Sequence, residues 1–338
     1  RVMQIPFAES ERSTVGIEWE LALVDADSGD LRQVAQTILD AVAPTDGGEH
    51  PTIKQELLLN TVEIVTGVCH TIAEAGADLR RTVDELRRLT DPLRVELMCA
   101  GTHPFARWSN QKVTDKQRYA TLIDRTQWWG RQMLIYGIHV HVGIESRDKV
   151  LPILRAVLAH YPHLQALSAS SPFWGGRDTN YASNRALMFQ QLPTAGLPFQ
   201  FDDWSAFEAY TADMLHTGVI DDISEIRWDL RPSPRLGTLE MRICDGASNL
   251  TEVLALAAFT QCLVEHFSTM YDAGEPLPRL QPWFVQENKW RSARYGMDAI
   301  IITSSGGDEE LVTDAVERLL VDLAPTAERL RCTEELAG

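Results

Sequence analysis

Three stretches of this sequence alternate strictly between apolar and ionisable residues, and no other feature constrains the fold as tightly. In GIEWEL, Ile17, Trp19 and Leu21 fall on one face while Glu18 and Glu20 fall on the other. In GIHVHVGI, Ile138, Val140, Val142 and Ile144 oppose His139 and His141; in TLEMRIC, Leu239, Met241 and Ile243 oppose Glu240 and Arg242. A period of two belongs to a pleated strand, where residues two apart share a face about 6.6 Å from each other. A fourth run places Glu63 between Val62 and Ile64, with Glu56 seven residues earlier.

β-rich runs predict strands over Val15 to Val24, Thr61 to Thr66, Val95 to Ala100, Ile135 to Ile144, Ile226 to Leu230 and Thr238 to Cys244. Helical signals lie between them. Thr71 and Glu74 form a capping-box signature ahead of Ile72, Leu79, Val83 and Leu86. Asp115 is placed to cap a helix reaching Met133, and a third helix runs from Ser146 toward Tyr161, where Pro162 interrupts it. Ser205 with Glu208 repeats the capping box, with Gly218 as a stop. Asn249 with Glu252 opens a long helix ending near Gly274, and an amphipathic pattern covers Glu309 to Arg331. Strands come in pairs and helices in blocks, which predicts an α+β fold: an antiparallel-rich sheet with helices on one face and the other face free as a site. No repeat or Pro/Ser-rich linker divides residues 1–338, so they are read as a single domain.

For any one strand, a polar face is ordinarily just solvated. Three such strands carrying acid, imidazole and one arginine argue otherwise, because massed carboxylates repel one another unless cations hold them. Oxygen-rich ligation with one or two histidines suits Mg²⁺ or Mn²⁺ better than zinc. No P-loop, Rossmann glycine fingerprint or G-x-S-x-G elbow occurs. The stretch IRWDLRPSPRLGTLEMR supplies Arg227, Arg231, Arg235 and Arg242, whose forks suit carboxylate or phosphate; surface ion pairing is the plainer alternative and weighs evenly for Arg227, whereas Arg235 and Arg242 flank the carboxylate strand, which tips them toward substrate. Asn180, Ser183, Asn184 and Arg185 open a predicted helix whose backbone donors favour an anion, although capping alone would account for Ser183 or Asn184. Alternation puts Cys244 on the Arg242 face as a bystander.

A formal charge of −17 and a pI near 4.9 disfavour nucleic acid and anionic membranes, leaving a small molecule as the expected partner. If that molecule is anionic, the site must supply metals or clustered arginines. Five scattered cysteines without a C-x-x-C pair fit a reducing cytosol, and no secretory leader or apolar run of about 20 residues is present. The chain opens on Arg1, so the native start is expected further upstream.

Taken in order, GIEWEL, ELLLNTVEIVTG, AGTHPF, GIHVHVGI, SNRALMFQQLPTAGLPF and WDLRPSPRLGTLEMRICD resemble the carboxylate-amine ligase branch of the glutamate-cysteine ligase family. The likeness runs from Val15 to Asp245 and, more loosely, through NKWRSARYG near Asn288. It implies a curved antiparallel sheet similar to that of glutamine synthetase and guanidino kinases, with ATP, Mg²⁺ or Mn²⁺ and substrate on its concave face. Glu18, Glu20, Glu56, Glu63, His139 and Glu240 match the metal-binding positions; His141 transfers less well, since relatives differ there. Glu240, Arg242 and Arg235 are the implied catalytic residues, the two arginines contacting phosphate or the acceptor carboxylate. Asn184 and Arg185 are expected with them at the nucleotide.

The implied reaction is ATP-dependent amide formation through an acyl phosphate, joining glutamate to cysteine or a related amine. Small amino acids are then the partners, the compartment is the cytoplasm, and a homodimer is compatible. Rival readings are a metal-dependent amide hydrolase using the His-x-His pair, a ligase modifying a peptide or protein acceptor, and a binding protein without turnover.

Overall fold

The computed structural model describes residues 2–338. Its strands are β1 (Val15–Asp25), β2 (Ile53–Gln55), β3 (Thr61–Val65), β4 (Val95–Met98), β5 (Gly137–Gly143), β6 (Phe173–Trp174), β7 (Arg177–Asp178), β8 (Leu230–Ser233), β9 (Thr238–Asp245), β10 (Ile300–Ile302) and β11 (Glu309–Leu311). Seven form one sheet in the order β2-β3-β1-β5-β9-β8, with β4 paired to the end of β1, and every pairing is antiparallel. The pairs β6–β7 and β10–β11 are small separate hairpins. The helices are α1 (Ala35–Val42), α2 (Ile72–Thr90), α3 (Gln117–Thr126), α4 (Trp128–Arg131), α5 (Arg147–Leu158), α6 (Tyr161–Ser168), α7 (Arg185–Phe189), α8 (Trp204–His216), α9 (Leu250–Asp272), α10 (Pro282–Tyr295), α11 (Val312–Arg329) and α12 (Thr333–Leu336).

The apolar faces of β1, β5 and β9 enter one core with α2, α5 and α9 behind them, as their alternation requires. Local chemistry fixes the long helices. The Thr71 hydroxyl accepts from the Glu74 amide at 3.2 Å to start α2, and the Asn249 side chain accepts from the Glu252 amide at 2.9 Å to start α9. α9 is the one helix among the described residues long and apolar enough to cross a membrane, and 67% of its most apolar window is buried inside the fold. Other boundaries move. The expected helix to Met133 breaks at Gln127, whose φ of 49° is left-handed, and the cap of α8 is Asp203, not Ser205. Pro162 opens α6 near its first turn, where a missing N–H costs nothing, instead of merely ending α5.

Two departures matter for the site. The expected strand over Ile226 to Leu230 lies further along, at β8, which carries Pro232 and is therefore an edge strand. Between β5 and β9 the register slips by one residue, so that Cys244 sits opposite Ile138 in the core. This β-bulge flips the faces beyond Arg242 and corrects the placement of Cys244.

Candidate active site

Register turns the polar faces into one constellation. Glu18 lies directly opposite His139, Glu20 opposite Glu63, and Glu240 opposite both His141 and Arg231. Directly opposed residues project from the same face, so five strands contribute to a single floor. That floor lines a cavity of about 770 Å³ whose other walls come from α3, α7 and the segment before β8, and His139 and His141 are only 7% and 9% exposed. Glu56 reaches the cavity from the turn after β2.

His139 is the hub. Its Nδ1 is 2.9 Å from Glu18 Oε2 and 3.7 Å from Glu240 Oε1, while its Nε2 is 3.6 Å from Glu20 Oε1. Two sets of possible ligand atoms, Glu18/His139/Glu240 and Glu20/Glu63/His139, each lie within 4.8 Å of one another. Burial and the charge of Arg242 push His139 down to about 4, keeping it neutral at ordinary pH. His141 goes the other way: burial lowers it, but Glu240 and Glu18 outweigh that and raise it. Its Nδ1 is held by Thr238 Oγ1 at 2.8 Å.

The carboxylates divide equally sharply. Burial opposes ionisation of Glu18, yet hydrogen bonds with His139 and His141 hold it well below the usual range. Burial also opposes ionisation of Glu240, but the Arg231 and Arg242 charges bring it to about 2; Arg231 Nε donates to Glu240 Oε2 at 2.7 Å and Arg242 stands 3.6 Å from Oε1. Glu20 is pushed up to about 8 by burial and by Glu56, and Glu63 is raised well above the usual range by burial, Glu56 and Glu18. Among the described residues Glu20, Glu56 and Glu63 form no ion pair with an arginine or lysine. Hard oxygen ligands with one neutral imidazole match a divalent cation of the Mg²⁺ type, so the residues present fit that group.

The cavity wall therefore brings together Glu18, Glu20, Glu56, Glu63, His139, Glu240, Arg242 and Arg185. Arg185 packs beneath β5, its guanidinium donating to the Arg242 carbonyl at 3.1 Å, and a Cβ on Gly137 would collide with it. Two expected residues are not brought in. Arg235 sits outside the cavity wall near the β8–β9 turn, its side chain 78% exposed and paired with Asp222 at 3.0 Å. Asn184 spends its amide on the Ser171 carbonyl and the Thr179 hydroxyl, a local loop tie. Arg231 was visible in the sequence only as one of four arginines; its place opposite Glu240 depends on the shifted β8. Arg118, Tyr119 and Arg125 on α3 also line the cavity, and no strand alternation could have marked them.

Known proteins share this chain's sequence and fold. The family model of glutamate-cysteine ligase family 2 matches residues 14–338. A protein of Arthrobacter sp. (strain FB24) named "Putative glutamate--cysteine ligase 2-1" is 62% identical over 340 residues, covering 99% of this chain and 89% of the relative. A counterpart from Mycobacterium ulcerans (strain Agy99) is 59% identical over 335 residues, covering 99% and 84%. Among solved structures, the glutamate-cysteine ligase of Francisella tularensis in complex with AMP superposes with a TM-score of 0.70 at 14% identity, covering 98% of this chain and 82% of that one. The ligase PafA, solved in complex with the prokaryotic ubiquitin-like protein Pup, gives 0.51 at 13% identity over 94% and 58%. By the family match across nearly its whole length and by these relatives, the chain belongs to glutamate-cysteine ligase family 2 and is an ATP-dependent ligase.

Proposed function

We propose that the chain, acting as one catalytic domain, joins the side-chain carboxylate of glutamate to the amine of cysteine or a similar amino acid through an acyl phosphate. The observation that carries this reading is the pair of ligand sets sharing His139 on the floor of a cavity that also presents Arg242 and Arg185. A carboxylate is a poor acylating agent, since its leaving group would be oxide, and phosphorylation by ATP removes that obstacle. Held by Glu18, Glu20, Glu56, Glu63, His139 and Glu240, Mg²⁺ would supply the charge that offsets the polyphosphate and the transferring group. Arg242 would add a fixed positive charge beside that group, and Glu240 would aim the guanidinium. The buried Nε atoms of Arg242 and Arg185 have no hydrogen-bond partner among the described residues, which favours an anion arriving there.

The test follows one oxygen atom. Glutamate labelled with heavy oxygen in its side-chain carboxylate is supplied with ATP, Mg²⁺ and cysteine, and the released phosphate is weighed. When the amine displaces phosphate, the bridging oxygen leaves with it, so one label per amide formed is expected. Product accompanied by unlabelled phosphate would overturn the acyl-phosphate route, and a hydrolase would need no ATP at all.

A further inference from the structure

The cavity has a second charged region with the opposite sign. Arg118 and Arg125 lie seven residues apart on α3, hence on one helical face, and Arg227 approaches from the segment before β8; all three line the cavity. Among the described residues none of them pairs with a carboxylate. Arg118 donates to the Tyr119 hydroxyl at 2.6 Å, Arg125 to the Val219 carbonyl at 2.6 Å, and Arg227 to the Glu225 carbonyl at 3.3 Å. In a chain with 48 acidic and 31 basic residues, three neighbouring guanidiniums of which none stands in an ion pair are out of character, even with Glu225 near Arg227. Arg231 and Arg242, by contrast, share Glu240. Burial makes Arg227 less basic than usual; Glu225 works against that shift, and the charges of Arg231, Arg125 and Arg118 add to it.

An arriving anion would find unpaired cationic partners there. Phosphate has its own partners at Arg242 and Arg185, beside the acidic floor. The same wall carries Asp221, whose carboxylate makes no hydrogen bond or ion pair among the described residues. Guanidiniums beside a free carboxylate complement a zwitterion better than a polyphosphate, which the acid would repel. We propose that Arg118, Arg125 and Arg227 hold the α-carboxylate of an amino-acid substrate and thereby decide which carboxylate–amine pair the cavity accepts. The assignment rests on the ligase reading above. The α-carboxylate belongs either to the donor, whose side-chain carboxylate is activated, or to the acceptor, whose amine attacks.

Decarboxylated analogues separate these sources. 4-Aminobutyrate replaces glutamate in the donor arm, and cysteamine replaces cysteine in the acceptor arm; hydroxylamine, which traps an activated carboxyl as a hydroxamate, reports on activation by itself. In Arg125→Gln and Arg118→Gln, both on exposed helix positions, the preference in kcat/KM for the carboxylate-bearing substrate should fall about 10- to 100-fold in one arm, with partial recovery in Arg125→Lys. Collapse in the donor arm assigns the site to glutamate, and collapse in the acceptor arm assigns it to the amine substrate. Preferences retained in both arms overturn the proposal, and so does an effect confined to the KM for ATP, which would make these arginines nucleotide ligands. Absence of hydroxamate from the unaltered enzyme with glutamate is a different failure, because it removes the ligase reading for that donor.

Discussion

The two ends of the carboxylate row differ in where their positive charge comes from. At β8–β9 the chain supplies it: Glu240 faces Arg231 and Arg242 and is held at about 2. At β1–β3 the chain supplies no direct ion pair, and Arg185 and Arg242 act on Glu20 without outweighing burial and Glu56. Glu20 and Glu63 are opposed across the strands with Glu56 close by, and the one lysine in register with them, Lys54, turns its ammonium to Glu49 at 3.6 Å. Glu20 accordingly rises to about 8 and Glu63 well above its usual range. One end has its charge balanced by folding, whereas the other keeps a deficit that a cation from solution would fill. Equal residue types thus serve unequal purposes, and their surroundings decide which.

The largest expected effect comes from breaking the balanced end. Glu240→Gln leaves two guanidiniums buried without their counter-charge, which should cost about 3–5 kcal/mol of stability as well as most turnover. Denaturant unfolding of the metal-free protein measures it, and unchanged stability would erase the distinction between the two ends.

Glu20→Gln should behave oppositely, losing most turnover while the metal-free protein keeps its stability or gains some. Mg²⁺ should raise the unfolding temperature of the unaltered protein and much less that of the variant. The pH dependence sharpens this. Folding favours the protonated form of Glu20, so its contribution is complete below its ordinary 4.5 and fades as pH climbs through about 8. Metal-free wild type should therefore lose stability relative to Glu20→Gln across that window, and Mg²⁺ should close the gap. Taking the difference between the two proteins cancels the buried His160 and His163, which burial lowers and which destabilise in the acidic direction.

The smallest effects concern the arginines. Arg242→Lys keeps the charge but loses the fork, and should slow turnover on the order of 10²-fold. Arg235→Ala should leave the rate within about twofold, as for an exposed ion pair. Steady-state phosphate release separates the two, and a large loss in Arg235→Ala would restore it to the site.

Much of the floor was legible because alternation is local. Ile17/Glu18/Trp19 and Val140/His141/Val142 announce both faces of their strands from covalent geometry alone, and the caps at Thr71 and Asn249 announce their helices. Arg235 lies outside the cavity wall although it is near Glu240 in sequence, because the turn between β8 and β9 carries it outward. Cys244 was misassigned, since alternation cannot register the one-residue slip that a bulge introduces.

What the sequence determined by itself was which residues share a face, for that depends on chirality and the pleat, both fixed within a few bonds. Tertiary structure alone decided which faces meet. The pairing of Glu18 with His139, the placing of α3 in the wall of the same cavity, and the division between carboxylates with and without arginine partners all join residues far apart in the chain. Their ionisation depends on burial and on the distance to neighbouring charges, and those quantities exist only once the chain has folded.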